Sequence, residues 1–213
     1  MKITIIYDNC ASNQRLRTGW GFSCLIETES RTLILFDTGA DGATLFHNMK
    51  ELGIDPRRIG LIVISHTHGD HTGGLSDILE INKRAEIYVP ASTIARLPGR
   101  KVIPVSRPVQ ISEAIFSTGE LKGIEQALAV RTDRGIVVVT GCSHPGVSEI
   151  LEAASKLGKV FGIIGGLHGF SDFDRLRGLS LICPCHCTQY KSELRQLFPK
   201  QYIACGAGLE LEL

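Results

Sequence analysis

Ten residues constrain this chain more than any others: Ser65-His66-Thr67-His68-Gly69-Asp70-His71-Thr72-Gly73-Gly74. Three imidazoles and a carboxylate fall within six positions. The run follows Leu61-Ile62-Val63-Ile64, which reads as a buried strand, and precedes Leu75-Ser76-Asp77-Ile78-Leu79, which reads as the start of a helix. Four ligand-capable groups therefore sit on a tight loop at the carboxyl end of a strand. His66 and His68, two apart, point the same way from extended backbone, while Asp70 and His71 face a second point beyond Gly69. A polar surface loop accounts for a lone histidine, but not for four spaced ligand types flanked by glycines; the pattern points to metal.

The rest of the chain repeats the strand-then-ligand arrangement. Residues 2–7 read as a strand, followed by a polar loop from Cys10 to Gly21. Strands at Phe22–Glu27 and Thr32–Phe36 form a hairpin, and a helix is expected over Ala40–Leu52 with Gly53 as its stop. After a helix ending near Lys83 and a strand at Glu86–Val89, Pro98, Pro104 and Pro108 break residues 91–112 into one helical turn and brief strands. Further strands are expected at 115–117, 127–130, 136–140, 160–164, 181–183, 202–204 and 209–213, with helices over 147–156 and 192–197. Four strands end in histidine-bearing loops: those of His66, His144, His168 and His186. Six of the seven histidines lie on such loops, His47 being the exception. Strands interleaved with helices, their ends converging, predict an α/β sandwich with its site along one rim.

Size and charge exclude several classes. At 213 residues and 43% hydrophobic content the chain can bury one core, and one domain over residues 1–213 is expected. With 23 basic and 22 acidic residues, the net charge of +1 gives no nucleic-acid footprint and no basic membrane patch. No apolar stretch is long enough for a membrane span. Met1 to Asp8 reads as a first strand and not as a signal peptide. Seven cysteines, an odd number, argue against a disulfide framework and for a reducing, cytoplasmic setting.

The histidine loops divide into two ligand sets. His66, His68 and His144 supply three neutral imidazoles and leave a position open for water. Asp70, His71 and His186 supply a second site. Three protein ligands with an open position is the catalytic arrangement for zinc. Two ions ~3.5–4 Å apart would share a hydroxide whose pKa falls to about 7, a nucleophile that needs no serine or cysteine.

Smaller signals are weighed separately. Cys183, Cys185 and Cys187 share a face if extended, and read as small buried hydrophobes since no second pair completes a zinc knuckle. Cys142, beside the His144 loop, reads as a packing residue too. Arg15, Arg17 and Trp20 lie in a long early loop; they are solvated residues or, as candidate substrate-binding groups, a lid suited to a phosphate or carboxylate. Ser143 is placed to cap the helix at Val147.

The run His66-Thr67-His68-Gly69-Asp70-His71, preceded by Phe36-Asp37-Thr38-Gly39 and followed by His144 and His186, resembles the metallo-β-lactamase superfamily. That resemblance implies a four-layer αββα sandwich and a site for one or two divalent ions, zinc first, iron or manganese as alternatives. It assigns His66, His68 and His144 to one ion, Asp70, His71 and His186 to the other, and Asp37 to support of the loop. Tyr7-Asp8-Asn9, Thr140-Gly141-Cys142-Ser143-His144, Ile164-Gly165-Gly166-Leu167-His168 and Pro184-Cys185-His186-Cys187-Thr188 are similar to the branch named after a dihydropterin phosphate synthase of methanopterin biosynthesis.

In most dinuclear members an aspartate bridges the ions; here His168 holds that place. A neutral imidazole has one lone pair and cannot bridge, so His168 completes one site or contacts substrate, or only one ion binds tightly. Asp172 and Asp174 follow closely enough to reach in. The chain is short between Ser106 and Ala127, which widens the site or moves substrate contacts to a partner copy in a homo-oligomer. The expectation is a metallohydrolase of a small, phosphorylated substrate, Asp70 orienting the nucleophile or taking its proton. The alternatives are a synthase condensing a pterin-like phosphate, and a non-enzymatic iron protein for redox or sensing.

Overall fold

Strands that are apolar on both faces need cover on both sides, and that requirement sets the layers. The structure, a computed structural model, describes residues 1–93 and 97–213. In chain order the elements are β1 (Lys2–Tyr7), β2 (Ser23–Glu27), β3 (Leu33–Phe36), α1 (Gly42–Glu51), β4 (Leu61–Val63), α2 (Gly69–Thr72), α3 (Leu75–Ile81) and β5 (Glu86–Pro90). They continue with β6 (Val102–Val105), β7 (Val109–Ser112), β8 (Ile115–Ser117), β9 (Leu128–Thr132), β10 (Gly135–Thr140), α4 (Val147–Ser155), β11 (Val160–Gly166), β12 (Leu181–Cys185), α5 (Lys191–Leu197) and β13 (Glu210–Glu212). A seven-stranded sheet has the order β13-β1-β2-β3-β4-β5-β6 and a six-stranded sheet the order β12-β11-β10-β9-β8-β7.

Each sheet is mixed. β3, β4, β5 and β6 run parallel to one another, as do β10, β11 and β12, and the remaining pairs are antiparallel. The inner faces meet in an apolar core in which Ile3, Ile5, Ile26, Ile34 and Phe36 pack with Leu128, Val130, Val137, Val139 and Ile164. The outer face of the first sheet is covered by Leu45 and Met49 of α1 and Ile78 and Leu79 of α3. Val147, Ile150 and Ala154 of α4 and Leu194 of α5 cover the second. The result is the expected α/β fold, in four αββα layers.

Local chemistry explains most element ends. The Asp41 side chain accepts from Thr44 N at 2.7 Å, so α1 starts after Asp41 and not at Ala40. Gly53, at φ +69°, lets Ile54 N turn back to Met49 O and ends it as expected. Pro104 and Pro184 lie inside β6 and β12, both edge strands, where a missing N–H costs no ladder bond.

Three local expectations differ from what is observed. Residues 69–72 form a helical turn inside the expected loop. Only Tyr202 of 202–204 bridges, pairing with Ile182. The N-cap of α4 is Gly146, with no side-chain cap; Ser143 Oγ instead donates to Gly166 O at 2.7 Å. The helical turn expected within 91–112 falls partly on residues 94–96, outside the described residues. Among the described residues no helix is long and apolar enough to cross a membrane.

The loop between β1 and β2 is tied to α1 by one buried side chain. Asn48 Nδ2 donates to Ile6 O (2.8 Å) and Arg17 O (2.9 Å), and Asn48 Oδ1 accepts from Arg17 N (2.8 Å). Asn48→Ala leaves a buried carbonyl unpaired and should cost about 1–3 kcal/mol, read as a lower urea midpoint at unchanged slope.

Candidate metal centre

The parallel strands β3, β4, β10, β11 and β12 end at a common rim, and a buried carboxylate anchors each histidine loop that enters the centre. Asp37, fully buried just past β3, accepts from Ser65 N on Oδ1 (2.7 Å) and from Ser65 Oγ and His71 Nδ1 on Oδ2 (2.7 Å each). Thr38 N and Oγ1 donate to His71 O. These bonds fix both ends of the 65–71 loop.

Glu125, also fully buried, holds the loop after β10. Its Oε1 accepts from the backbone N–H groups of Gly141, Cys142 and Ser143 (3.0–3.1 Å) and from Thr140 Oγ1, and its Oε2 from His144 N (2.9 Å). A Cβ at Gly141 would overlap Ser65 Oγ, so this loop lies directly against the first.

The third anchor is Asp8, past the end of β1, which accepts from His186 N (2.7 Å) and Cys10 N (3.0 Å). Asn9 completes it: Nδ2 donates to His186 O (3.1 Å) and Oδ1 accepts from Gly21 N and His186 Nδ1 (2.9 Å). Trp20, 63% exposed, stands edge-on to the His186 ring with centroids 4.9 Å apart.

These contacts dictate tautomers. Ser65 Oγ gives its proton to Asp37 and so accepts from His66 Nδ1 (2.8 Å). Asp37 accepts from His71 Nδ1, and Asn9 Oδ1 from His186 Nδ1. Each ring thus turns its Nε2 inward, the arrangement that orients metal-binding histidines. His66 Nε2 lies 3.1 Å from His68 Nδ1, and His186 Nε2 lies 3.1 Å from Asp70 Oδ2. His144 Nε2 is buried without a hydrogen-bond partner. Two groups of ligand atoms lie within 4.8 Å of one another: Asp70, His71, Cys142 and His186, and His66, Cys142 and His144.

Charge tests whether a cation fits. Asp8, Asp37 and Glu125 are fully buried, and among the described residues no lysine or arginine pairs with them or with Asp70. Buried acids without counter-charge are costly. The imidazoles supply little: burial, then repulsion from neighbouring rings, pushes His66 down to about 2, and burial takes His186 down to about 4. His144 is lowered by burial against the pull of Glu125. Burial also depresses His71, but the Asp37 charge and hydrogen bond more than compensate and hold it above its ordinary value. Asp70, despite burial, is held low by His71 and His186. Inward lone pairs, an orphaned nitrogen and a cluster of acids that only the His71 imidazole offsets fit a divalent ion.

The structure thus brings together His66, His68, Asp70, His71, His144 and His186, with Asp37 behind the loop. His168 is exposed, its ring tilted against that of His144 with centroids 5.1 Å apart, outside both ligand groups. Arg15 and Arg17 are exposed, held through their backbones by His47 and Asn48. Asp172 and Asp174 lie in exposed ion pairs with Arg175 and Arg177. Cys187 leaves the face shared by Cys183 and Cys185, whose sulfurs join Cys205 in the core. Sequence reasoning gave no role to Asp8, Asn9 or Glu125; an acid two residues before the apolar Ala127-Leu128-Ala129-Val130 run was the available signal for Glu125.

Two outcomes follow from this geometry. Glu125→Gln places an N–H₂ against N–H donors and should lower stability by about 2–3 kcal/mol in urea titration. His66 and His186 resist protonation when folded but accept it near 6.5 when unfolded, so the unfolded state binds more protons at acid pH. The metal-free protein should therefore lose urea resistance as pH falls from 6.5 toward 4, with the raised His71 opposing part of the loss.

Known proteins share this architecture. A family model, the Beta-lactamase superfamily domain, matches residues 32–130. The chain is 30% identical to the 7,8-dihydropterin-6-methyl-4-(beta-D-ribofuranosyl)-aminobenzene-5'-phosphate synthase of Methanocaldococcus jannaschii, over 89% of this chain and 88% of the relative. Its fold matches Tm1679, described as a metal-dependent hydrolase of the β-lactamase superfamily, with TM-score 0.81 and 26% identity over 100% and 99% of the two chains. Zn(2+)-bound PqqB of Methylobacterium extorquens shares the fold at TM-score 0.67 and 12% identity, over the whole of both chains. With a 30%-identical relative matched over most of its length and the fold shared with a β-lactamase-superfamily protein, the chain belongs to the metallo-β-lactamase superfamily.

Proposed function

We propose that the protein is a metal-dependent hydrolase of a small, phosphorylated substrate. The observation that carries this reading is the pinning of His66, His71 and His186 through Nδ1, which turns three Nε2 lone pairs toward Asp70 and the orphaned His144 Nε2. His66, His68 and His144 would hold one divalent ion, and Asp70, His71 and His186 a second, with zinc favoured over iron or manganese. Such an ion supplies a Lewis acid and an activated water at neutral pH.

The chain's own groups do the rest. Asp37, Ser65 and Asn9 keep the rings from rotating away. Asp70, the one partly exposed acid of the ligand groups at 22%, is placed to orient the attacking water and accept its proton. Trp20 walls one side of His186 and offers an exposed indole face to a substrate ring. Arg15 and Arg17, on the same loop, bring positive charge suited to a phosphate. Seven free thiols suit a reducing cytoplasm.

A second reading, synthase chemistry on a pterin-like phosphate, is favoured by the name of the 30%-identical relative. One experiment separates the two. Freshly purified protein, assayed on phosphodiesters, phosphomonoesters and thioesters, should lose turnover on chelation and regain it with Zn, Mn or Fe. Isotopic oxygen from solvent water should enter the product. His71→Ala should lower metal content by about 10-fold or more. Turnover that survives complete metal removal would falsify the proposal, and product free of solvent oxygen would favour the synthase.

A further inference from the structure

We infer that Cys142 is a metal ligand shared by both ion positions, a thiolate that bridges them. The inference rests on the metal-centre reading above and deepens it. Cys142 is the residue common to the two ligand groups, meeting Asp70, His71 and His186 on one side and His66 and His144 on the other. Its sulfur lies 3.1 Å from His71 Nε2, close to the roughly 3–4 Å that separates two donors on one zinc ion. Its side chain is 3% exposed, so the sulfur faces the centre and not solvent.

The backbone around it is fixed from three sides. Glu125 grips the N–H groups of residues 141–144. The missing side chain of Gly141 admits Ser65, and a Cβ on Gly166 would press to 3.2 Å from Cys142 Cα. Ser143, at φ +61°, holds the left-handed turn that places sulfur and His144 on the same centre.

The chemistry of the other donors supplies the reason. Each inward imidazole has one lone pair and serves one ion. His66, His68 and His144 bring no negative charge to their position, whereas Asp70 brings one to the other. A thiolate carries charge and spare lone pairs, so it can join both ions; on binding, the thiol proton leaves to solvent. His168, exposed beyond His144, is placed to meet substrate instead. A bridging sulfur also biases the centre toward zinc and ferrous iron and away from manganese and magnesium.

Cobalt(II) tests this without reference to turnover, because thiolate–cobalt bonds absorb in the near ultraviolet. The metal-free protein should take up about two cobalt ions per chain with that absorption. Cys142→Ser should lose the band and weaken cobalt binding at least 10-fold, while Cys187→Ser, altering the neighbouring thiol, should keep both. Cys142→Asp, a carboxylate of similar reach, should restore two ions without the band; circular dichroism of each metal-free variant checks folding. If the wild type binds cobalt but Cys142→Ser keeps the band and the stoichiometry, the bridge is wrong and the metal centre stands, the sulfurs of Cys183, Cys185 and Cys205 then being the source. If the wild type binds no cobalt, both readings fall.

Discussion

The rim depends on buried carboxylates that grip backbone. Asp37, Glu125 and Asp8 each sit at a strand end with no exposed surface, and each spends its oxygens on the N–H groups of a histidine loop. Loops of this kind have few ladder bonds of their own, so without such acceptors their donors would be buried and unpaired. The acids also set the electrostatics. Burial keeps His66 and His186 from protonating, whereas the Asp37 charge holds His71 up, and among the described residues no lysine or arginine reaches the three acids. The donor set at the rim fits a divalent cation.

The sandwich makes this arrangement possible. Parallel neighbours in both sheets deliver their carboxyl ends to one edge, where the chain must turn sharply. Asp37, Ser143, His168 and His186 take left-handed backbone there, an unfavourable conformation for residues with side chains. The strain is held by the packed strands beneath and by the carboxylate anchors. It aims side chains that ordinary strand geometry would send elsewhere. Rigidity of the supporting sheets, more than the identity of the loop residues alone, fixes the distances between donors.

The cysteines divide by layer. Cys183 and Cys185 serve the inter-sheet core as small apolar groups, in company with Cys24. Cys142 stands at the rim among nitrogen and oxygen donors. The same side chain is inert filling in one place and a candidate ligand in the other, and the difference is the company it keeps.

Periodicity and composition by themselves determined most of the strand and helix succession, the placing of histidines at strand ends and the ligand-dense run at 65–74, because these are local patterns that survive any packing. They also carried the superfamily resemblance, and with it the αββα layers. What they left open is long-range. The pairing of Asp8 with His186 spans 178 residues, and Glu125 meets the 141–144 loop from the segment that leads into β9. Ser143 was legible as a cap, yet the turn it opens before Gly146 points its hydroxyl at Gly166. Cys142 looked like packing because nothing in its neighbours in sequence announces Asp70 or His71. Only the stacking of two sheets, which closes distances that the linear chain does not encode, decided which donors share a centre.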